Sequence, residues 1–302
     1  MSWTPLDLLR PRPADPAAGA PSLRAALATL EGPDPFAMAV LGGRRAPSVG
    51  RAFCFGYQAA LRALLPDAMA GRLGALCATE AGGNHPRAIR TTLQDGVLTG
   101  EKAFVTLGPF AEVLVVLATT GLDEAGRPRL VACVVDAGAA GVGVTAMPPL
   151  PFVPDVPHGT LSLDGVRPDA VLPGDGYLTV LKPFRTIEDI HVHAALSAWM
   201  LGVAVDAGWP PDVSESLLAG IAALSVAAAL DPADPGTHRL LAGALADLDV
   251  LLQRAEPLWE TAPAEARDTW RRDRELMRIA GAARAARLDK ARAASTGAPD
   301  AP

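Results

Sequence analysis

Half of the 302 residues are hydrophobic, mean hydropathy is +0.23 and the formal net charge is −6, which excludes global disorder and the basic excess of a dedicated nucleic-acid binder. Three cysteines, Cys54, Cys77 and Cys133, are scattered without C-x-x-C spacing, so neither a disulfide framework nor a thiolate metal site is expected and a reducing, cytoplasmic setting fits. Asp7, Arg10 and nearby prolines interrupt the start where a secretory leader needs an unbroken apolar stretch, and the longest uncharged run, Ser216 to Leu230, is shorter than the roughly 18 apolar residues that span a bilayer. A soluble protein without membrane or nucleic-acid partners is expected.

Residues 11–22 carry a proline in nearly every turn and read as a linker. From Ser22, a candidate N-cap, Leu23, Ala26, Leu27 and Leu30 recur at helical spacing, and a second helix is predicted over Ser48 to Leu65, ended by Pro66. The texture changes at Gly74. Ala75 to Glu80 reads as a strand, Thr91 to Thr99 as a hairpin turning at Asp95-Gly96, and Val113 to Thr119 and Leu130 to Val135 as an antiparallel pair. A proline-rich stretch, Met147 to Pro157, precedes a further strand at Gly159 to Leu163. After Gly176 the Ala/Leu-rich segments Tyr177–Val205, Asp212–Leu230, Thr237–Ala255 and Ala264–Ala294 predict an antiparallel bundle of four helices. The domains expected are a short helical region at 1–73, an antiparallel β domain at 74–176, a helical bundle at 177–294 and a frayed tail at 295–302, an α+β multidomain fold.

The opening of the β domain carries a chain of motifs: Ala78-Thr79-Glu80-Ala81-Gly82-Gly83, then Asp95-Gly96, then Leu98-Thr99-Gly100-Glu101-Lys102-Ala103-Phe104-Val105-Thr106, then Ala111-Glu112. In this order they resemble the acyl-CoA dehydrogenase family, whose pattern is T-E-P-G, D-G, L-x-G-x-K-x-aromatic-[I/V]-[T/S] and A-[D/E]. The resemblance runs from about Leu64 to Val205. It implies a flavoprotein with FAD, an acyl-CoA or similar thioester as substrate, an electron-transfer flavoprotein as acceptor, and a homo- or hetero-oligomer. The residues at the matching positions, implied as FAD contacts, are Thr79, Gly82, Gly83, Phe104 and Thr106. A flavin needs hydrogen-bond donors at its pyrimidine edge and N5, a flat apolar partner and a backbone that approaches closely, and these residue types supply all three. Read locally, the same residues suit a plain strand with the threonines on its pleats and Phe104 in the core.

Several positions depart from the family pattern. Asn84-His85-Pro86 stand where Gly-Ser-Asp is usual, and residues 232–240 offer only Arg239 in place of an R-x-x-F-G segment. The α-proton of an acyl thioester needs a carboxylate base; at one family location Phe184 stands instead, and the other lies beyond the helix that Trp270 to Ala294 resembles. Glu188 and Asp189, one turn further on, are the candidate bases. An alternative is a catalytically silent member serving as a structural or partner subunit. His191 and His193 sit at i and i+2 and point to different sides of a helix, so no metal site is expected. No G-x-G-x-x-G, P-loop or G-x-S-x-G motif is present, and the basic residues between Arg271 and Arg292 read as a solvated face.

Overall fold

The structure, a computed structural model, describes residues 4–10, 23–28, 34–83 and 85–295. The linker at 11–22, Ser22, Leu30, Asn84 and the tail from 296 lie outside these, as do the side chains of Leu23 and Leu27. The chain forms two compact units. One comprises residues 61–185; the other joins residues 1–60 to 186–302, so the amino-terminal helices belong to the same unit as the carboxy-terminal ones.

The first unit is a sheet built from β1 (Gly74–Cys77), β2 (Thr92–Gln94), β3 (Val97–Thr106), β4 (Val113–Leu122), β5 (Pro128–Asp136), β6 (Val142–Ala146), β7 (His158–Val166) and β8 (Ala170–Val171). Its order is β6-β7-β3-β2-β4-β5-β8, with β1 also on β4. The predicted hairpin forms with Gln94 opposite Val97, and Asp95 and Gly96 both take positive φ, +50° and +76°, as a tight two-residue turn between right-twisted strands requires. The predicted pair of β4 and β5 is antiparallel, Val116 opposite Cys133. The sheet is mixed rather than wholly antiparallel, because β1 and β2 both run parallel to β4. That central position explains the continuous apolar run of β4, buried from Val113 to Ala118. Its core is Cys77, Leu98, Val105, Leu114, Val116, Cys133, Val135, Leu161 and Leu163. Strand β6 is a short, half-exposed edge strand with too few buried positions to mark it in the sequence.

The second unit contains α1 (Pro5–Leu8), α2 (Leu23–Ala28), α3 (Pro35–Arg45), most of α4 (Val49–Leu64) and of α5 (Lys182–Asp206), then α6 (Pro211–Ala228), α7 (Pro235–Ala255), α8 (Ala264–Asp273) and α9 (Gly281–Ser295). Helix α3, not anticipated, starts on the Asp34 carboxylate, which accepts the Phe36 N–H at 2.9 Å, with Pro35 at the first helical position. The Arg44 guanidinium ties α1 to α3 by donating to Leu8 O at 2.9 Å. The single helix expected over Ala264–Ala294 is split by a 3₁₀ turn at Arg274–Arg278, which follows a fully buried Asp273 whose two oxygens accept from Nε and Nη2 of Arg272. The core here is aromatic: Trp199, Trp259 and Trp270 stack with ring centroids 4.9–6.2 Å apart, and Trp209 meets Trp259 edge-on at 5.0 Å. Helix α6, with mean hydropathy 1.2 over 18 residues, reaches the length and apolarity of a membrane-crossing helix, unlike the sequence expectation. Within the unit it packs on α7 and buries Val213, Leu217, Ile221 and Leu224.

Candidate functional site

The segment between β1 and β2 is organised by one buried carboxylate. Glu80 accepts from Lys102 Nζ at 2.7 Å, from the Arg90 N–H at 2.7 Å, and from the N–H and hydroxyl of Thr91 at 3.0 and 2.8 Å. Lys102, 1% exposed, completes its own coordination on Leu117 O at 2.6 Å. Burial pushes the Glu80 carboxyl up, but the Lys102 ammonium and these N–H donors outweigh it and hold it below the usual carboxylate range. Burial lowers Lys102 despite its Glu80 partner, and it raises the neighbouring thiols, Cys77 to about 12 and Cys133 to about 11. Those thiols are inert core groups. Gly100 belongs to the same construction: at φ +148° it lies so close to Thr91 that a Cβ would stand 2.7 Å from the Thr91 Cα and hydroxyl. The spacing Glu80, Gly100, Lys102 is therefore a structural code that fastens the loop after β1 onto β3 and β4. The motif carries these residues, but nothing in its spacing discloses their structural role.

Against this frame lies an open cleft of 1030 Å³. Gly82, His85, Arg87, Ala88 and Arg90 form one side of its lining, and Gly143, Thr145, Thr160 and Ser162 of β6 and β7 also contribute. Arg87 and Arg90 are exposed, and neither guanidinium has an acidic partner among the described residues. The cleft is suited to an anion.

The predicted flavin-contacting residues divide. Gly82 lines the cleft and Gly83, at φ +104°, pairs with Glu80 in an isolated bridge. Thr79 and the end of β3 are brought together by the Ala103 N–H, which donates to Thr79 O at 2.9 Å. Between Lys102 and Val105 strand β3 takes one residue more than β7, a β-bulge. Phe104 sits on it at φ +52°, a costly conformation for a bulky residue, and is 55% exposed. The local reading of Phe104 as core is thereby overturned. Thr79 and Thr106 are half-buried, and their hydroxyls engage no described residue. An aromatic ring and two uncommitted hydroxyls, on β3 and on the segment after β1 that the Ala103 N–H ties to it, are of the donor and flat-face types that a flavin needs.

Asp189 requires a correction. It is 6% exposed, and Arg284 donates to its Oδ1 at 3.0 Å while Arg287 holds Oδ2. Arg284 also donates to Met277 O at 2.6 Å. Asp189 is thus a structural acid that anchors α9, because two guanidiniums use the oxygens that a base would need. Glu188, its neighbour on α5, is half-buried. His191 and His193 each direct Nδ1 at the carbonyl four residues back, 2.8 Å from Ile187 O and 2.7 Å from Asp189 O, and His191 packs edge-on to Phe36. No group of residues fit to hold a metal occurs among the described residues.

Residues 75–166 match the model of the acyl-CoA dehydrogenase middle domain. The fold is similar to butyryl-CoA dehydrogenase from Megasphaera elsdenii, with a TM-score of 0.65, 16% identity and coverage of 96% of this chain and 99% of that one. It is also similar to a glutaryl-coenzyme A dehydrogenase in complex with glutaryl-CoA, with a TM-score of 0.62, 16% identity and coverage of 95% and 89%. A third likeness is to PigA with FAD and proline, with a TM-score of 0.57, 16% identity and coverage of 90% and 82%. No curated protein sequence matches this chain.

Proposed function

We propose that this chain, whose residues 75–166 match the acyl-CoA dehydrogenase middle domain, is an acyl-CoA dehydrogenase family member: an FAD-binding oxidoreductase acting on an acyl thioester of coenzyme A. The observation that carries the reading is the exposed, conformationally costly Phe104, two residues before Thr106 on β3 and next to Ala103, whose N–H donates to Thr79 O. A core residue gains nothing from such a position, whereas a ring that packs on a ligand does. Bound FAD supplies the two-electron acceptor. The residues of the chain do the rest: Thr79 and Thr106 donate hydrogen bonds, Phe104 offers its face, and the Glu80–Lys102 pair keeps β3 and the loop after β1 in register. The cleft at Arg87 and Arg90 provides an anion-binding surface for a phosphorylated carrier. Transfer of electrons to a flavoprotein acceptor, oligomer formation and a cytoplasmic setting belong to the same proposal.

A second reading, a member that binds flavin or a partner subunit without dehydrogenation, is favoured by Asp189, whose oxygens are taken by Arg284 and Arg287. The visible spectrum after incubation with excess FAD and gel filtration tests both. Retained flavin that acyl-CoAs bleach supports the oxidoreductase. Retained flavin that they leave oxidised supports the second reading, and no retained flavin rejects the first. On the flavin reading, Thr106→Ala weakens retention by about 1–2 kcal/mol, the scale of one hydrogen bond.

A further inference from the structure

We propose that His158 is the acceptor behind the Thr106 hydroxyl and that through it the chain favours the reduced form of the flavin, an inference that rests on the flavin reading above. The two residues stand opposite each other in the antiparallel pairing of β3 with β7. The next pair along is joined by the Leu107 N–H, which donates to Pro157 O at 2.7 Å, while the His158 carbonyl turns the other way to accept the Met147 N–H at 2.8 Å. Hydrogen-bonded and non-hydrogen-bonded pairs alternate along such a ladder. Thr106 and His158 are therefore a non-hydrogen-bonded pair, the kind whose side chains lie closest, with Cβ atoms about 4.5–5.5 Å apart on one face of the sheet. That face is turned away from the core: Val105 beside Thr106 is buried, as are Leu161 and Leu163 on β7, whereas Thr160 and Ser162 are exposed.

The bonding of the ring fixes what it offers. Nδ1 lies 2.9 Å from Val156 O; a carbonyl can only accept, so Nδ1 carries the proton and Nε2 of the neutral ring is a bare acceptor. Burial holds the half-buried imidazole below its ordinary range, which keeps it neutral at pH 7. Neither Nε2 nor the Thr106 hydroxyl engages another described residue, so both are available. A threonine hydroxyl has one hydrogen and two lone pairs. Among the flavin atoms that want a donor, N5 is the one whose demand reverses, since two electrons and one hydrogen arriving from the substrate turn it from acceptor to donor. Thr106 gives its hydrogen to N5 in the oxidised state. In the reduced state it must accept there, and its own hydrogen needs another place. Nε2 of His158 supplies that place: the hydroxyl turns about its C–O bond, no proton leaves either residue, and one hydrogen bond is gained in the reduced state alone.

The test is the midpoint potential of the bound flavin at pH 7, with the affinity for oxidised FAD measured beside it, in the native chain, His158→Phe and His158→Gln. Phenylalanine keeps a ring on the strand and removes the acceptor; the glutamine carbonyl restores one. The bonds that pair this end of β7 with its neighbours are made by backbone groups, so both variants retain them. Losing one hydrogen bond in the reduced state weakens the hold of His158→Phe on reduced FAD about tenfold relative to oxidised FAD. That is a fall in potential of about 30 mV for a two-electron couple, and His158→Gln recovers the ratio to within about threefold of the native chain. A potential unchanged in His158→Phe overturns the assignment alone and leaves the flavin reading standing. An equal fall in both variants marks the ring as packing and also overturns it, as does a loss of affinity for oxidised FAD with no change in potential. A native chain that retains no flavin overturns the flavin reading, and the assignment with it.

Discussion

Each unit of this molecule is built around a buried carboxylate, and the two are used differently. Glu80 is matched by one ammonium and three other donors contributed by residues within 22 positions of it. Asp189 is matched by guanidiniums 95 and 98 residues away. The first holds a local loop that shapes a cleft; the second fastens the last helix to the middle of the bundle. A buried acid in a fold similar to that of dehydrogenases invites a catalytic reading, yet both acids here have their oxygens filled, and that separates a framework carboxylate from a base.

The sharpest test of this contrast removes Lys102. Lys102→Met leaves Glu80 buried without its cation, which costs about 3–5 kcal/mol, and denaturant unfolding of the native and variant chains measures it. A change below about 1 kcal/mol shows that Glu80 is satisfied by its N–H donors alone. Asp189→Asn is expected to be milder, about 2 kcal/mol, because Arg284 and Arg287 are partly exposed, Arg284 keeps its bond to Met277 O, and the asparagine oxygen still accepts. Hydrogen exchange should quicken in α9 and leave β1–β4 unchanged. Loss of flavin reduction with unchanged exchange in α9 would restore Asp189 as a catalytic candidate.

The same contrast explains what the sequence disclosed. The Asp95-Gly96 hairpin was legible because its turn demands positive φ at both residues, and β4 because its burial on both faces leaves a continuous apolar run. The Glu80–Lys102 pair was visible as a motif, being short in sequence, but its job needed the geometry. The pairing of Asp189 was not legible, because periodicity describes a helix face and says nothing of an arginine 95 residues later. Helix α3 was missed although Asp34-Pro35 is a good helix start, and the split between α8 and α9 because a buried Asp273 looks like any surface acid. Phe104 was legible as an aromatic at a motif position, while its exposure depends on a bulge that only the pairing of β3 with β7 reveals.

Acid separates the units more gently. Burial lowers His191 and His193 from 6.5. The unfolded chain therefore binds more protons below pH 6.5, and the stability contributed by the neutral rings is complete above that value and lost as pH falls through the folded ones. The Glu80 carboxyl is held below 4.5, so its contribution is complete above pH 4.5 and lost further down. Burial lowers His158 of the sheet unit in the same direction, so both units should weaken below pH 6.5, and the helical unit, with two such rings, should weaken more. The described tryptophans, Trp199, Trp209, Trp259 and Trp270, all lie in the helical unit, so their emission during denaturant titration reports that unit, and its midpoint should drop between pH 7 and pH 5. A midpoint that stays flat in His191→Phe/His193→Gln but slopes in the native chain assigns the effect to these rings; equal slopes in both would dismiss them.

The smallest effect concerns the strained bulge and has opposite signs for folding and binding. Phe104→Gly relieves a positive φ and removes an exposed ring, so the free protein should gain about 1 kcal/mol, offset in part by the extra backbone entropy of glycine in the unfolded chain. The same substitution takes away the face on which a flavin packs, so FAD retention should fall. Unfolding of the apoprotein measures the first change, and flavin titration the second. A variant that is more stable and binds FAD less tightly places the conformational cost of Phe104 in the service of the ligand. A variant that loses stability without losing flavin would assign the ring to the packing of β3, and the surface formed by Thr79, Phe104 and Thr106 would no longer support a flavin site.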